Sequence, residues 1–176
     1  MTEAEVPLGS EQRVALERWF GRRFEALCRL LTIVPLSGGA IQENWLVSLD
    51  VAGARREFVL RKDAAATIST SHSRADEFAL LNLAHDFGVT VPEPIGFCAN
   101  PEVIGAPFAV MAKAEGTAFG PKIVKDLRLG GDRATLTRRI GAEFAKIHRI
   151  RPPQPALSFL GAPPDDRLLA LRVEHL

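Results

Sequence analysis

Four places in the chain bring together residue types that could do chemistry. Ser37-Gly38-Gly39-Ala40 sets two adjacent glycines between two β-forming stretches. Without Cβ atoms a backbone can come close to a ligand, and its N–H groups can cradle a phosphate. The pattern is neither the Walker A loop nor G-x-G-x-x-G, and an ordinary hairpin turn uses the same residues. Phe58-Val59-Leu60-Arg61-Lys62 carries two cations at the end of a strand. Alternation sends Val59 and Arg61 to one face and Leu60 and Lys62 to the other, so a cation leaves its strand beside an apolar neighbour. The plainer reading is a strand end from which both side chains reach water. Glu77 precedes Leu80, Leu81 and Ala84 by three, four and seven residues and so shares their helix face. A carboxylate there is costly unless paired. Its partner is either Arg74, three residues earlier, or a cation on a neighbouring strand. His148 follows Phe144 and Ile147 at helical spacing and reads as a packed, hydrogen-bonded core histidine.

The elements that must position these residues follow from periodicity. Ser10 is a candidate helix cap, with Leu16, Trp19 and Phe20 recurring behind it. Leu30 to Leu36, Trp45 to Asp50 and Phe58 to Lys62 read as strands, and their short connections favour antiparallel hairpins. Ser73 to Phe87 is helical and apolar over so much of its surface that it should lie largely buried, with Gly88 just past its end. Val91-Pro92-Glu93-Pro94 is extended. Ile95 to Cys98 and Phe108 to Lys113 form a second strand pair around a turn rich in glycine and proline. Thr117 to Arg133, with three glycines and a proline, reads as a linker. A helix from Ala134 to Arg149 follows, with Leu136, Ile140, Phe144 and Ile147 on one face, ended by Pro152, Pro153 and Pro155. Asp165 or Asp166 then caps a last helix, Arg167 to Leu176, which carries no stop signal and reads as cut off.

The totals exclude several classes. The 176 residues are 47% hydrophobic and 24% charged, enough for a globular core. A net charge of +1 gives no field that favours nucleic acid or a membrane surface. No apolar run approaches the roughly 20 residues of a membrane span. The acidic start, Met1 to Ser10, lacks the apolar region of a signal peptide, which makes the cytoplasm the default location. The two cysteines, Cys28 and Cys98, have no metal-ligand spacing and read as small buried apolar residues.

Taken in order, these features resemble the N-lobe of the aminoglycoside phosphotransferase and choline kinase-like family, with its protein-kinase-like fold. The segments that carry the resemblance are Leu36-Ser37-Gly38-Gly39-Ala40-Ile41-Gln42-Glu43-Asn44-Trp45, Gly88-Val89-Thr90-Val91-Pro92-Glu93-Pro94 and Gly105-Ala106-Pro107-Phe108-Ala109-Val110-Met111. The resemblance implies an α+β fold: a five-stranded antiparallel sheet with one packed helix, then the beginning of a helical C-lobe. It divides the chain into an N-terminal helical segment (1–26), the N-lobe (27–116), and a linker with a truncated start of the C-lobe (117–176). It implies an ATP site in which Ser37, Gly38 and Gly39 lie over the phosphates. Arg61 stands at the phosphate-binding strand position, paired with Glu77. Met111, Ala112 and Lys113 form the hinge that meets the adenine edge. Arginine at 61 differs from the more usual lysine in binding phosphate as a fork.

The larger departure is that none of the four histidines begins the family's His-x-Asp-x-x-x-x-Asn loop. Phosphoryl transfer needs a base and Mg²⁺ ligands. The expectation is therefore an ATP-binding portion that does not turn over alone, with Mg²⁺ bound only when the missing lobe is present. It would act on an unidentified small-molecule hydroxyl and would self-associate through the incomplete lobe. The competing readings are a non-catalytic nucleotide- or partner-binding module, and an α+β domain with no nucleotide site.

Overall fold

Trp45, Val47 and Leu49 alternate with Asn44, Leu46 and Ser48, and the facing strand repeats the pattern with Phe58 and Leu60 against Val59 and Arg61. A period of two with one strongly apolar set specifies a sheet with a core on one side. In a computed structural model, which describes residues 8–36, 42–63, 72–117, 119–129 and 131–160, these segments form that sheet. The strands are β1 (Cys28–Pro35), β2 (Gln42–Val51), β3 (Ala54–Asp63), β4 (Pro94–Cys98) and β5 (Phe108–Ala112). Their spatial order is β1-β2-β3-β5-β4 and every neighbouring pair is antiparallel. The expected α+β class and five-stranded antiparallel sheet are thus present.

Helix α1 (Ser10–Phe24) covers the apolar face. Leu16 and Phe20 are fully buried against Ile33, Val47, Leu49, Phe58, Leu60 and Val110. Glu17 adds a polar tie by accepting the Leu30 N–H at 2.7 Å. Ser10 is not the cap. Gly9 holds that position in extended backbone, and its N–H donates to the Gln12 side chain at 3.1 Å, so Ser10 begins the first turn. Cys28 and Cys98 are both buried and free, as expected.

The other face of the sheet meets α2 (Arg74–Asp86) beside β4 and β5, where Phe78 stacks on Phe97 with ring centroids 6.3 Å apart. Ser73 caps this helix, accepting the Asp76 N–H at 3.1 Å while its own N–H donates to the Asp76 carboxylate at 3.2 Å. Gly88, at φ 73°, follows its end. The expectation of a largely buried helix fails. Most of α2 is only half-buried, and Arg74 alone among its residues is fully so. The reason is that one flank packs on the sheet while Leu80, Leu81 and Ala84 line a cavity instead of solid core.

The stretch read as a linker contains a short helix, α3 (Gly120–Lys125). Pro121 lies in its first turn, where proline's fixed φ suits a helix, and the Arg133 guanidinium donates to the carbonyls of Ile123 and Val124 at its other end, both at 2.7 Å. Helix α4 (Arg133–Ile147) is capped by Asp132, which accepts the Thr135 N–H at 2.8 Å. Its apolar stripe is on the surface: Ile140, Phe144 and Ile147 are each two-fifths or more exposed. His148 is exposed too, at the helix end beside the Phe144 ring, so the expected packed core histidine is a correction. Helical spacing identifies a face but not whether anything covers it. The proposed helix from Arg167 lies outside the described residues.

Two local features yield measurable expectations. The β2–β3 hairpin turns on Ala52-Gly53, with φ values of 50° and 88°, the mirror-image turn that suits strand twist. Alanine at positive φ is strained, so Ala52→Asn should raise the unfolding free energy by about 0.5–1 kcal/mol in a urea melt.

The second feature is at Glu143 on α4, which accepts the Thr90 N–H at 2.8 Å and its hydroxyl at 3.0 Å. It also accepts from Lys146 at 2.8 Å. Lys146 first and then Thr90 hold its carboxyl down from the ordinary 4.5 to about 2. A depressed carboxylate stabilises above its unfolded pKa, so this tie is fully present above 4.5 and is lost as pH falls toward 2. The Thr90 amide shift should titrate with a midpoint near 2, and Glu143→Gln should abolish that step in an NMR titration.

Candidate active site

The β2–β3 hairpin sets Asn44 directly opposite Arg61, and β3–β5 pairing sets Arg61 opposite Ala109 and Val59 opposite Met111. Cross-strand partners share a face, so Asn44, Arg61, Ala109 and Met111 all lie on the α2 side of the sheet. Lys62 goes to the other face with Phe58 and Leu60. There it lies 4.9 Å from the Trp45 ring centroid and pairs with Glu43 at 3.0 Å. Both halves of the strand-alternation reading therefore hold, and neither cation simply ends in water.

Arg61 Nε donates to Asn44 Oδ1 at 3.0 Å, which ties the guanidinium to the facing strand. Its Nη1 lies 3.9 Å from Glu77 Oε2 on α2. Arg74 donates to the same Glu77 oxygen at closer range. The two partners left open for Glu77 are thus both present, with Arg74 the nearer. Their environments differ: the Arg74 side chain is 4% exposed and that of Arg61 36%. Arg74 is a buried structural charge, while Arg61 keeps part of its fork accessible.

The three charged groups lie at one end of a cavity of about 370 Å³ between α2 and the sheet. Its apolar walls are Phe78, Leu80, Leu81 and Ala84 from α2, Val91 and Pro92 from the extended segment, and Ala109 and Met111 from β5. An apolar cavity with a few convergent polar groups at one end is a usual form for a small-ligand site. Among the described residues, no group of three His, Cys, Asp or Glu side chains could hold a metal ion.

At the far end of β5, the Ala112 N–H donates to the Glu93 carbonyl at 2.8 Å and the Lys113 N–H to that of Glu57 at 3.4 Å. These two amides tie the end of β5 to neighbouring segments of the fold. The Lys113 ammonium donates to Glu57 Oε2 at 2.7 Å. That bond, with smaller help from Arg55 and Ser48, holds the Glu57 carboxyl below its ordinary range, while Glu57 raises Lys113.

The structure thus brings Arg61, Glu77 and Met111 around one cavity and places Ala112 and Lys113 at the adjoining strand end. Ser37, Gly38 and Gly39 lie outside the described residues. Asn44, Arg74 and Glu57 were not among the residues singled out for the site. Asn44 is recoverable from sequence, because a two-residue hairpin at Ala52-Gly53 sets it across from Arg61. The burial of Arg74 has no such signal.

A model of the phosphotransferase enzyme family matches residues 32–175, most of the chain. The chain belongs to this family. The family brings with it a phosphotransferase-like role, and the match begins in β1 and takes in all the site residues named above. No curated protein matches the chain. Among the described residues no helix is long and apolar enough to cross a membrane.

Proposed function

We propose that the chain is the ATP-binding portion of a phosphotransferase that acts on a small-molecule hydroxyl group. The observation that carries this reading is the Arg61–Glu77 contact at 3.9 Å, made from strand to helix in the wall of the cavity. A guanidinium with part of its fork open to solvent suits a polyphosphate, and the Asn44 bond uses only Nε, leaving the terminal nitrogens as further donors. In the proposal Ser37, Gly38 and Gly39 cover the phosphates, and the adenine edge lies along Met111, Ala112 and Lys113. Since the Ala112 and Lys113 amides are engaged, the hinge would offer carbonyl oxygens there.

Residues 27–116 would form the nucleotide lobe and residues 117–176 the linker and start of a helical lobe. Phe20 and Leu16 place residues 10–24 in the same core as the sheet, so the N-terminal helix would act as part of that lobe. None of the 176 residues forms the His-x-Asp-x-x-x-x-Asn loop, and Mg²⁺ would need ligands from elsewhere. The chain alone is therefore expected to bind nucleotide without turnover. Its exposed Ile140, Phe144 and Ile147 favour self-association, and a cytoplasmic setting fits the same reading.

Calorimetry with Mg·ATP and ADP tests the site. Binding to the chain that is lost in Arg61→Ala is the expected result. Equal affinity in chain and variant, or no binding to either, would remove Arg61 and Glu77 from any nucleotide site. A coupled ADP-release assay should read no turnover, and release above background would overturn the inactive reading.

A further inference from the structure

A second cleft shares the Phe78 wall with the first. It lies at the open edge of β4 and is lined by residues of α1, α2 and β4. Its volume is about 430 Å³, and its walls are Trp19, Arg22, Arg23, Phe78, Gly96 and Phe97. Three of the six are aromatic and two are arginines; none is a carboxylate.

The local chemistry explains why it stays open. Trp19 packs edge-on against Phe20 and Phe108, with centroids 4.9 and 5.1 Å away, which holds the indole at the sheet edge. A Cβ at position 96 would meet the indole at 3.0 Å, so glycine lets Trp19 pack closely on β4. Phe97 forms the opposite wall against Phe78, with its ring tilted only 29° from the Phe78 plane. The Arg23 guanidinium donates to the Ile95 carbonyl on the β4 edge, which pins that side chain beside the cleft.

The charges here are balanced differently from those of the first cavity. There, Glu77 answers Arg61 and Arg74. Here Arg22 is exposed and has no ion-pair or hydrogen-bond partner among the described residues. The helix dipole accounts for basic residues in the last turn of α1. It does not account for aromatic walls beneath them.

We propose that this cleft is a binding site for a small aromatic anion, a planar ring carrying a carboxylate or phosphate. The ring would sit at the β4 edge, where Trp19 from one face of the sheet and Phe97 from the other both line the cleft, and the anion would take the Arg22 guanidinium, with Arg23 adding to the positive field. Aromatic lining residues favour a ring over an aliphatic chain, because aromatic contacts add to area burial. A guanidinium fork beside them selects an oxyanion over a neutral group. The site is distinct from the proposed nucleotide cavity and does not depend on it.

The test uses the whole 176-residue chain, ¹⁵N-labelled. Phenyl phosphate is the probe, with inorganic phosphate and benzyl alcohol as its two halves. The expected result is saturable shifts, at millimolar probe, of the Trp19 indole N–H and the Gly96 and Phe97 amides, with much weaker effects from either half. Trp45→Phe assigns the two indole signals. Arg22→Gln should weaken binding by about three- to fivefold, as for one exposed charge pair, and Arg22→Lys should retain most of it. Phe78 is left intact because it also lines the first cavity. Three outcomes overturn the proposal: no saturable shift, shifts confined to Arg61 and Met111, or binding unchanged in Arg22→Gln. If Arg22→Gln fails to fold, equal binding by phenyl phosphate and benzyl alcohol to the unaltered chain is equally decisive against it.

Discussion

Phe20→Ala is expected to lower the unfolding free energy by about 3–5 kcal/mol, the largest single effect in the molecule. Phe20 is completely buried, and its ring lies 4.9 Å from Trp19, 5.6 Å from Phe58 and 6.1 Å from Phe24. Alanine removes the ring without letting these neighbours collapse, because two of them sit on the same helix and the third on a central strand. Small domains are stable by only about 5–15 kcal/mol, so the variant should approach the edge of folding. Urea unfolding followed by both tryptophan fluorescence and circular dichroism is the measurement. Coincident transitions shifted to lower urea would place residues 10–24 and the sheet in one cooperative unit. A change below about 1 kcal/mol would mean that α1 is an appendage. Phe20→Leu should cost much less, since it refills most of the volume.

Glu77→Ala is expected to act twice, and Arg61→Ala only once. Arg74 is almost wholly buried and pairs with Glu77. Removing one partner of a buried pair costs about 3–5 kcal/mol, and the partial exposure of Glu77 reduces this to about 2 kcal/mol. Arg61 is one-third exposed and lies 3.9 Å from Glu77, so its loss should cost less than about 1 kcal/mol. On nucleotide affinity the two variants should converge, each losing about tenfold or more if the pair orients the phosphate ligand. Melting curves with calorimetry on both separate the roles. A Glu77→Ala chain that is destabilised but keeps full affinity for Mg·ATP would leave Glu77 purely structural. Glu77→Gln, which keeps the shape and one acceptor, should fall between.

Much of the fold was legible before any coordinates. The alternation in Trp45 to Asp50 and Phe58 to Lys62, with short connections, points to an antiparallel hairpin, and the structure adds its two-residue turn at Ala52-Gly53 and its register. Val91-Pro92-Glu93-Pro94 and Gly105-Ala106-Pro107 mark where the second strand pair begins and turns. Boundaries were less exact: Gly9 took the capping position from Ser10, and the first proline-bearing stretch after Gly116 held a short helix. Both misreadings come from local signals that more than one structure can satisfy.

By itself, then, the sequence determined the strand faces, the antiparallel hairpin pairing, the helix carrying Glu77 and the family order of motifs, because each depends on spacing within a few residues. Tertiary structure decided the rest. It gave Glu77 both Arg74 and Arg61, buried one cation and left the other partly open, turned one flank of α2 toward a cavity, and left the α4 stripe and His148 on the surface. These outcomes depend on how far one element stands from another, and periodicity along a chain carries no information about that distance.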